Sequence, residues 1–499
     1  MKIGGLDIGT TGCKLTVFDE KGKYLDKAYR DYPAMRGSME QTLDVIALMD
    51  GVYGVIKEIA AEYPDLSGIG VTSFGETFVI TDEAGTPLFP ALLYTDPRGR
   101  EQRERLEEKL GSFHIAEISG MHPHEMYSLP KIMWYKENKP EIYAKAKHIF
   151  LMGDYVVWSL TGNAQIDYSL ATRTMGFDIR NLCWSTEIFE AADIDLELFS
   201  KTVPTGTPAG NITKEVSGKT GLSEDTVIIS VSHDQVAAAT GAGVFSSDTA
   251  VDGAGTVECL IPIYDKLPDM KHMYDGCFAV VPYVVPGSYI CYAFSYTGGA
   301  LIQWCTDNLA KKEKEIAKGE GLSVNTYLEK LYGDKYGDEP GSLLVLPHFA
   351  GAATPYMDTG SKGAIIGLTA STGADEIYRG CMEGVAYEMV LNREALKPSG
   401  IHFKHMRATG GGARSEVWMQ MKADMLNVSI TALETADAGT VGSAMITGVA
   451  LGIFKDLADA ADNMVVRKKT YEPRQEMHEK YMRIYERYVK VYDAVRPLV

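Results

Sequence analysis

The chain has 499 residues, of which 45% are hydrophobic and 23% charged, and its formal net charge is −18. This length is too great for one hydrophobic core and predicts two or more domains. The acidic balance argues against a nucleic acid or an anionic membrane as a partner, because both select a basic surface. A nucleotide stays compatible with it, since a few local lysines and backbone N–H groups suffice for binding.

Seven cysteines are scattered along the chain and never form a Cys-x-x-Cys pair. This usage predicts reduced thiols in a cytosolic protein rather than a disulfide scaffold or a zinc site. The early apolar run is interrupted by Asp7 and does not resemble a signal peptide. The most apolar stretch, 277–294, contains two prolines and a glycine, so it predicts buried strands. We therefore expect a soluble, cytoplasmic protein with no membrane span.

The first twelve residues predict a hairpin whose turn has the composition of a binding site. An apolar run holding Asp7 is followed by Gly9, Thr10, Thr11 and a second alternating strand. Glycines and threonines in such a turn can cradle phosphate oxygens. An acid at the end of the first strand suits a hydrated Mg²⁺, and Lys14 adds a positive charge. Taken alone, the turn equally suits an ordinary hairpin whose acid caps it.

The rest of the first half alternates between strand and helix patterns. Apolar residues at intervals of three and four predict a helix over 41–62. A buried strand, a loop and a second strand are predicted over 66–80. Further helices are predicted over 101–110, 128–138 and 153–160. This alternation indicates an α/β architecture.

The opening pattern returns in the middle of the chain. An apolar strand with a polar end is predicted over 227–235, and a helix of small residues over 236–241. A second Asp/Gly/Thr turn then follows within 249–263. The positions that correspond are Asp7, Gly9 and Thr10 in the first copy and Asp252, Gly255 and Thr256 in the second. This internal repeat predicts two related domains, residues 1–245 and 246–499, with a ligand cleft between them.

The second half contains a charge-rich segment, a glycine-rich loop and a polar tail. The charge-rich segment, 311–321, suits either a lid or a solvated helix end. The tail, 473–495, is predicted as a surface helix without obvious chemistry. Between them the pattern predicts strands and helices as follows: a strand over 362–368, a helix over 374–396, a strand over 403–409 and a helix over 416–426.

Familiar nucleotide-binding motifs are missing from the sequence. Gly218-Lys-Thr220 resembles the end of a P-loop, but Thr213 stands where the first glycine belongs. The glycine-rich fingerprint of dinucleotide-binding proteins is also incomplete, because Glu258 stands where its third glycine belongs. The run Gly410–Gly412 offers another route, because glycines between a strand and a helix expose N–H groups to a phosphate or an adenosine. A tight turn is the alternative, and the two related Asp/Gly/Thr turns favour the phosphate site.

Asp234 is the sharpest candidate for acid–base chemistry. It ends an apolar strand where the two halves meet, between His233 and Gln235. A carboxylate there could take a proton from an attacking hydroxyl in phosphoryl transfer. The alternative is a helix N-cap, which an aspartate before a run of alanines would supply.

Three other acids lie in polar loops of the first half, beside aromatic residues. Glu76, Asp96 and Asp154 have the composition of a sugar site, in which carboxylates bind hydroxyls and aromatic rings face the sugar. Each also suits an ordinary turn or cap. The histidines have no metal-ligand spacing and are interpreted as structural.

Taken together, these segments resemble the FGGY family of carbohydrate kinases, within the actin-like ATPase superfamily. No single segment is decisive, but the ordered set is specific and covers nearly the whole chain. The matching segments are Asp7–Thr11, Tyr94–Arg98, Tyr127–Trp134, Asp154–Tyr155, His233–Gln235, Gly255–Thr256, Thr354–Asp358, Gly363–Leu368, Glu383–Gly384 and Gly410–Ser415.

The resemblance implies two actin-like (ribonuclease H-like) α/β domains that close on ATP-Mg²⁺ and a sugar or polyol. It implies a sugar-binding first domain and an ATP-binding second domain, and it is compatible with a homodimer. The implied roles are these: Asp234 as general base; Asp7 holding the metal through water; Thr10, Thr11, Lys14, Gly255 and Thr256 near the phosphates; Gly411, Gly412 and Ala413 beside the adenosine; Glu76, Asp154, Asp234 and Gln235 facing the substrate.

The resemblance identifies the sugar less well than the reaction. Glycerol kinases of the family place an arginine where this chain has Gly75, and xylulokinases typically carry Met-His-Gly where it has Phe74-Gly-Glu76. Gly255-Thr-x-Glu258 is more similar to the fuculokinase side of the family. We expect phosphorylation of a ketose, such as a pentulose or deoxyhexulose, or of a polyol.

Two other functional classes remain as alternatives. A non-catalytic sugar or nucleotide sensor on the same fold would have lost the base or the metal acid, whereas Asp7 and Asp234 are both present. An actin-like ATPase acting on protein partners would need a peptide-binding appendage, for which residues 456–499 are too short. The missing dinucleotide fingerprint disfavours a redox enzyme.

Overall fold

The computed structural model describes residues 1–37, 40–434 and 437–499. Its strands in the first half of the chain are β1 Lys2–Ile8, β2 Gly12–Asp19, β3 Tyr24–Asp31, β4 Ala34–Arg36, β5 Gln41–Leu43, β6 Gly68–Ser73, β7 Phe78–Thr81, β8 Ala91–Leu92, β9 His148–Leu151, β10 Gln165–Asp167, β11 Phe177–Asp178, β12 Cys183–Trp184, β13 Lys201–Val203, β14 Thr207–Asn211 and β15 Val227–His233. Those in the second half are β16 Thr249–Ala254, β17 Glu258–Tyr264, β18 Ala279–Pro282, β19 Tyr289–Ser295, β20 Leu344–Leu346, β21 Ala364–Ile366, β22 His405–Thr409, β23 Ser429–Leu433 and β24 Arg467–Tyr471.

Helices separate these strands, as the alternation in the sequence predicts. In the first half they are α1 Val45–Ala60, α2 Arg100–Leu110, α3 Ser112–Ser119, α4 Ser128–Asn138, α5 Pro140–Tyr143, α6 Met152–Thr161, α7 Tyr168–Thr172, α8 Thr186–Ala192, α9 Lys214–Thr220 and α10 Asp234–Gly241. In the second half they are α11 Met270–Asp275, α12 Gly299–Leu309, α13 Lys311–Gly319, α14 Val324–Tyr336, α15 Ala374–Leu396, α16 Glu416–Leu426, α17 Ala438–Ala450, α18 Leu457–Met464, α19 Gln475–Tyr488 and α20 Val491–Val495.

Two large sheets carry the fold, and their strands follow the same order. The first sheet runs β14-β15-β6-β1-β2-β3, and the second runs β24-β23-β22-β16-β17-β19 with β18 added at its edge. In each, the hairpin that begins the half is antiparallel, and its first strand pairs in parallel with a later one, β1 with β6 and β16 with β22. The repeat predicted from the two Asp/Gly/Thr turns is therefore a repeat of whole sheets.

The helix predicted over 41–62 begins later than the sequence pattern indicates. Residues 41–43 form β5, which pairs with β4 and β8 in a smaller sheet. The helix α1 starts after Asp44, whose carboxylate accepts hydrogen bonds from the N–H groups of Ile46 and Ala47 at 2.9 and 3.1 Å. Such capping satisfies N–H groups that a helix start leaves unpaired.

The helices that follow corresponding strands of the two sheets meet each other. Gly241 of α10 and Gly442 of α17 lie where the helices touch, since a β-carbon on either would fall 1.9 Å from a carbonyl oxygen of the other helix. Only glycine permits so close an approach. The helix α17, from the second half, lies on the first sheet, where the Ser443 hydroxyl donates to the Gly70 carbonyl at 2.8 Å.

The end of α10 is in turn fixed to the second sheet. Arg407 on β22 donates from Nη1 to the carbonyls of Ala242 and Gly243, at 2.8 and 2.5 Å. The helix α17 thus lies on the sheet of the first half, while the residues that follow α10 are bound by the sheet of the second half. This exchange joins the two sheets through the middle of the molecule.

The tail is more than the surface helix that the sequence predicts. The helix α19 is exposed on one face, but Tyr481, Tyr485 and Tyr488 on its other face are buried. The ring of Tyr488 stacks on that of Tyr387 from α15, with centroids 4.9 Å apart. The tail therefore completes the core of the second half. None of the described helices is both long enough and apolar enough to span a bilayer.

Candidate active site

Asp234 is the first residue of α10, at the end of the buried strand β15. His233 is the residue that precedes the helix, so the N-cap alternative for Asp234 does not hold. About a third of the Asp234 side chain is exposed, and its Oδ1 has no hydrogen-bond partner within the described residues. Burial, and then the charges of Asp7 and Glu76, raise the pKa of Asp234 to about 7. Such a carboxyl changes charge near neutral pH.

The imidazole of His233 is neutral and lies beside the Asp234 carboxyl. Its Nε2 lies 3.2 Å from Asp234 Oδ1, and its Nδ1 lies 3.3 Å from the hydroxyl of Tyr292. Burial, and then the charge of Arg173, lower the pKa of His233 well below its ordinary value. The structural role predicted for this histidine therefore includes contact with the candidate base.

Asp7 lies on β1. The pairing of β1 with β2 places Lys14 opposite it, and the start of α17 brings Asp437 close to it. Asp7 pairs across the hairpin with Lys14, whose ammonium lies 2.7 Å from Asp437 at the start of α17. A β-carbon at Gly439 would fall 3.1 Å from Asp7 Oδ2. Burial and Asp437 raise the pKa of Asp7, and Lys14 opposes them. Asp437 was not anticipated from the sequence; its only signal is a position before a run of small residues.

The turn after β1 keeps the predicted threonines at the surface. Its backbone closes by a hydrogen bond of 2.9 Å from the N–H of Gly9 to the Gly12 carbonyl. Tyr32, which directly follows β3, fixes the turn by donating from its hydroxyl to the Gly9 carbonyl at 2.5 Å. Thr10 is partly exposed and Thr11 is exposed.

Glu76 forms a buried ion pair that the sequence pattern did not indicate. Arg173 donates from Nε to Glu76 Oε1 at 2.7 Å and also from Nη2, and both side chains are almost fully buried. Gly75 makes room for this arginine, because a β-carbon there would fall 2.6 Å from Arg173 Cγ. Glu76 itself has a φ of 63°, a left-handed conformation that costs energy in a residue with a β-carbon.

The other two predicted acids have partners of their own in the interior. Asp96 accepts two hydrogen bonds of 2.8 Å from the Arg98 guanidinium and one of 2.9 Å from the Gln41 N–H, as a structural residue would. Asp154 is buried in α6 and accepts from the Ser200 hydroxyl at 2.6 Å. Burial raises the pKa of Asp154 to about 8. The contacts of these two acids are thus with the protein, whereas Gln235 follows Asp234 and is partly exposed.

Four of the predicted nucleotide-site residues line one large cavity in the second half. Its volume is about 1110 Å³, and Gly255 and Thr256 form one part of its wall, with Gly411 and Gly412 in another part. Ala413 is buried and lies instead on a smaller neighbouring cavity. The large cavity is also bounded by Ser323, Asn325, Glu329, Tyr378, Arg414 and Trp418, which were not predicted.

Backbone geometry shapes the glycine-rich part of this cavity. The first N–H groups of α12 donate back to the turn, Gly299 to the Gly255 carbonyl at 2.9 Å and Ala300 to the Thr256 carbonyl at 3.0 Å. Gly410 has a φ of 89°, and a β-carbon on it would fall 2.6 Å from the Ala254 carbonyl oxygen. The two glycine-containing turns therefore lie against each other.

Behind these turns lies a buried charge cluster. The ammonium of Lys422, on α16, is 2.9 Å from Asp252 Oδ2 and also pairs with Glu258, and all three side chains are buried. It lies 4.6 Å from the centre of the Trp418 ring, and Trp418 lines the cavity. Burial, and then the charge of Asp252, raise the pKa of Glu258 well above its ordinary value. Lys422 therefore links the ends of the Gly255 turn to the helix that follows the Gly411 turn.

A second cavity, of about 410 Å³, lies between the two halves. Arg173 and Tyr127 line it from the first half, and Tyr292 and Phe294 from the second. The guanidinium carbon of Arg173 lies 5.2 Å from the centre of the Tyr127 ring and 5.9 Å from that of Tyr292. This cavity, called here the Arg173 cavity, adjoins the Glu76 pair and the His233–Tyr292 contact. Within the described residues, no group of three or more His, Cys, Asp or Glu side chains is arranged to hold a metal.

Comparison with known families accounts for most of the chain. Residues 2–241 match the model of the FGGY family of carbohydrate kinases, N-terminal domain, and residues 254–451 match the model of the C-terminal domain of that family. The two matches lie on either side of the boundary between the two large sheets.

Individual relatives agree over nearly the full length. The xylulose kinase of Lactococcus lactis subsp. lactis is 28% identical, over 91% of this chain and 88% of its own. The glycerol kinase of Halorhodospira halophila is 29% identical, over 95% and 92%. The crystal structure of gluconate kinase from Lactobacillus acidophilus superposes with a TM-score of 0.88 at 21% identity, covering 99% and 98%. The predicted two-domain, actin-like α/β fold is thereby confirmed.

Proposed function

The chain belongs to the FGGY family of carbohydrate kinases, and from this premise we propose that it transfers the γ-phosphoryl group of ATP in line to a hydroxyl of a small ketose or polyol. Asp234 takes the proton of that hydroxyl. The observation that carries this assignment is a side chain that is partly exposed at the junction of the halves and whose buried Oδ1 makes no hydrogen bond within the described residues. Burial and neighbouring acids raise its pKa to about 7. A general base works best with a pKa near the operating pH.

The nucleotide occupies the 1110 Å³ cavity in this proposal. Gly255 and Thr256 approach its terminal phosphates together with Thr10, Thr11 and Lys14 of the first hairpin, while the adenosine lies along Gly411, Gly412 and Ala413. The support is that the two glycine turns share one cavity and lie against each other. Backbone N–H groups in such turns are suited to anionic oxygens.

Asp7 is proposed to hold Mg²⁺ through water. Its carboxylate is buried, and burial with Asp437 raises its pKa, so a cation beside it would relieve an unfavourable environment. This ion usually keeps several waters and is bound through one or two carboxylates plus phosphates, so one protein carboxylate can suffice for it. When bound, Mg²⁺ neutralises charge on the transferring phosphoryl group.

The sugar is proposed to bind between the halves, against Glu76, Gln235 and the Arg173 cavity. Glu76 is fixed there by Arg173, and Gln235 adjoins the base. Asp154 belongs to the proposed substrate set with weaker structural support, since its contact is with Ser200. In this arrangement residues 1–245 form the sugar-binding domain and residues 246–499 the ATP-binding domain.

The test is the release of ADP from ATP-Mg²⁺ in a coupled assay, with ketopentoses, deoxyketohexoses, tetruloses and polyols as acceptors. Asp234→Ala should lose about 10²- to 10⁴-fold in kcat, since positioned general bases contribute that much. Asp225→Ala is the matched control, because Asp225 is exposed and lies outside both cavities; we expect it to keep the parent rate.

Near-normal turnover in Asp234→Ala would overturn the role of the base. Binding of ATP and of a sugar without any turnover would favour the non-catalytic sensor. Both ligands should be measured by calorimetry beside the assay, so that a missing acceptor and a missing activity are distinguished.

A further inference from the structure

The charges that line the Arg173 cavity restrict the chemistry of the sugar. Three arginines reach this cavity, Arg100, Arg103 and Arg173. An acidic sugar needs at least one cation that is free to bind its carboxylate, because a buried anion without a partner is strongly disfavoured. Whether these guanidinium groups are free therefore bears directly on the class of substrate.

All three nitrogens of the Arg173 guanidinium contact other protein atoms. Its Nε and Nη2 both donate to Glu76, and its Nη1 points at the sulfur of Met121 at 3.4 Å. Although burial opposes it, the charge of Glu76 raises the pKa of Arg173. The pair therefore contributes one positive and one negative charge, which cancel at the edge of the cavity.

The two arginines of α2 are also paired with carboxylates. Arg100 lies 3.0 Å from Glu125. Nε of Arg103 lies 3.3 Å from the same side chain but makes no hydrogen bond within the described residues, so Arg103 is held through its other nitrogens. Arg103 further pairs with Glu104 at 2.9 Å, and with Glu107. Glu104 and Glu125 line the cavity themselves. This wall is thus balanced or slightly negative.

The two histidines that line the cavity are uncharged. Burial lowers the pKa of both His122 and His124. The N–H of Met126 donates to Nδ1 of His124 at 3.0 Å, which requires that nitrogen to carry no proton. Lys131 is buried beside them, and its ammonium donates to the carbonyls of Tyr94 and Glu125.

The opposite wall offers no charge. It consists of Cys277, Ala279, Tyr292, Phe294 and Met357, from the second half of the chain. Aromatic and apolar side chains pack on the carbon face of a sugar, while paired acids and arginines supply acceptors and donors to hydroxyls.

We propose that the acceptor of this kinase is a neutral polyhydroxy compound, and that an aldonate or an already phosphorylated sugar is rejected because every guanidinium of the Arg173 cavity is held by a carboxylate. The inference rests on the proposed binding of the sugar between the two halves. It separates this chain from a relative such as the gluconate kinase, whose name states an acidic substrate.

The experiment compares acceptors that differ at one terminal carbon, which is a neutral CH2OH group in one compound and a carboxylate in the other. Glucitol with gluconate and xylitol with xylonate are two such pairs, and xylulose is added as a neutral ketose. Calorimetry on the full-length protein with an ATP analogue gives the affinity of each compound, and the coupled assay gives kcat/KM. The neutral member of a pair should bind at least about 10²-fold more tightly, since an anion among paired acids meets like charge.

A second measurement uses Glu125→Gln, which frees the guanidinium groups of Arg100 and Arg103 from one acid. We expect this substitution to improve the affinity for the aldonate relative to its neutral partner by about 10-fold, within the range of one charge-assisted contact. Glu187→Gln is the control, since Glu187 is exposed on α8 and outside the cavity; it should leave the ratio unchanged.

Equal or tighter binding of the aldonates by the parent protein would overturn the inference while leaving the kinase activity intact. Preferential binding of the neutral members without any ADP release would support the inference and contradict the proposed function. No shift of the ratio in Glu125→Gln, with neutral compounds still preferred, would refute the arginine–carboxylate explanation.

Discussion

At the scale of single residues, Asp234 is tuned by groups that oppose one another. Burial and the negative charges of Asp7 and Glu76 raise its pKa to about 7, while Arg173 lowers it. A base must be ionised to accept a proton, so the charged form of Asp234 is the active one in the proposed mechanism. The environment that suits Asp234 to this proposed role therefore also limits the reaction at low pH.

This balance predicts the pH dependence of the reaction. The value of kcat/KM should fall about tenfold per pH unit below about pH 7 and level off above it, because protonated Asp234 cannot accept the substrate proton. Glu76→Gln removes a charge that raises the pKa of Asp234. The kcat/KM of this variant should therefore begin to fall at a lower pH than that of the parent protein. A profile that stays flat from about pH 5 to 8, with the coupling enzymes verified, would contradict the assignment.

Lys422 gives a second prediction, on stability. Lys422→Met leaves Asp252 and Glu258 buried without their cation, so it should lower the free energy of unfolding by about 3–5 kcal/mol in denaturant titrations followed by circular dichroism. Lys469→Met is the matched control, since Lys469 makes an exposed pair with Glu416; we expect a change within about 0.5 kcal/mol.

Glu258→Gln tests the same cluster from its acidic side. The pKa of Glu258 is raised well above its ordinary value, so a neutral amide of similar shape should cost less than the loss of Lys422. A larger loss in Glu258→Gln than in Lys422→Met would mean that Glu258, and not Asp252, is the main partner of the ammonium.

The residues of the site differ in how far sequence could predict them. Asp7, Gly255 and Gly411 belong to local patterns at strand ends, where a turn composition is visible in a few adjacent residues. Arg173 and Lys422 reach their partners across 97 and 170 positions. Nothing local distinguishes them from other basic residues, and only the packing of the fold brings each to its acid.

At the scale of elements, the sequence pattern predicted several helices well. The bounds of α4, α15 and α16 agree with the predicted ranges. The prediction was wrong at the start of α1, where 41–43 pairs with β4 and β8. Strand pairing of this kind depends on residues distant in the sequence, and a local pattern does not contain that information.

The contact between α10 and α17 predicts sensitivity at its glycines. Gly442→Ala would place a methyl group 1.9 Å from the Ala237 carbonyl oxygen, so the helices must separate. We expect a loss of about 1–3 kcal/mol in unfolding free energy, as overpacking causes. Activity should fall as well, because Asp234 begins α10 and Asp7 lies beside the first turn of α17.

Gly333→Ala is the control for that substitution. Gly333 lies within α14, and a β-carbon there meets no heavy atom within 4 Å. Alanine should raise the unfolding free energy by up to about 1 kcal/mol, since glycine is the poorer helix former. A stable, fully active Gly442→Ala would show that the helices tolerate a wider spacing than their glycines indicate.

At the scale of the whole molecule, the repeated strand order is consistent with the proposal that one cleft serves two ligands. Each half begins with a hairpin that carries an acid on its first strand and a glycine and a threonine in its turn, and the two hairpins supply Asp7 and Gly255. The similarity of the halves was visible in the sequence as a repeat of a few residues. The reciprocal packing of α10 and α17 was not, because it depends on how the two sheets face each other.

That reciprocal packing has a consequence for dissecting the protein. A fragment ending at residue 245 would contain the first sheet without α17, leaving the backbone carbonyl of Gly70 and the apolar strands around it uncovered. The complementary fragment would lack Ala242 and Gly243, whose carbonyls accept hydrogen bonds from Arg407. The sequence divides into two similar parts, but we expect neither part to fold on its own, so the two would have to be produced together to restore activity.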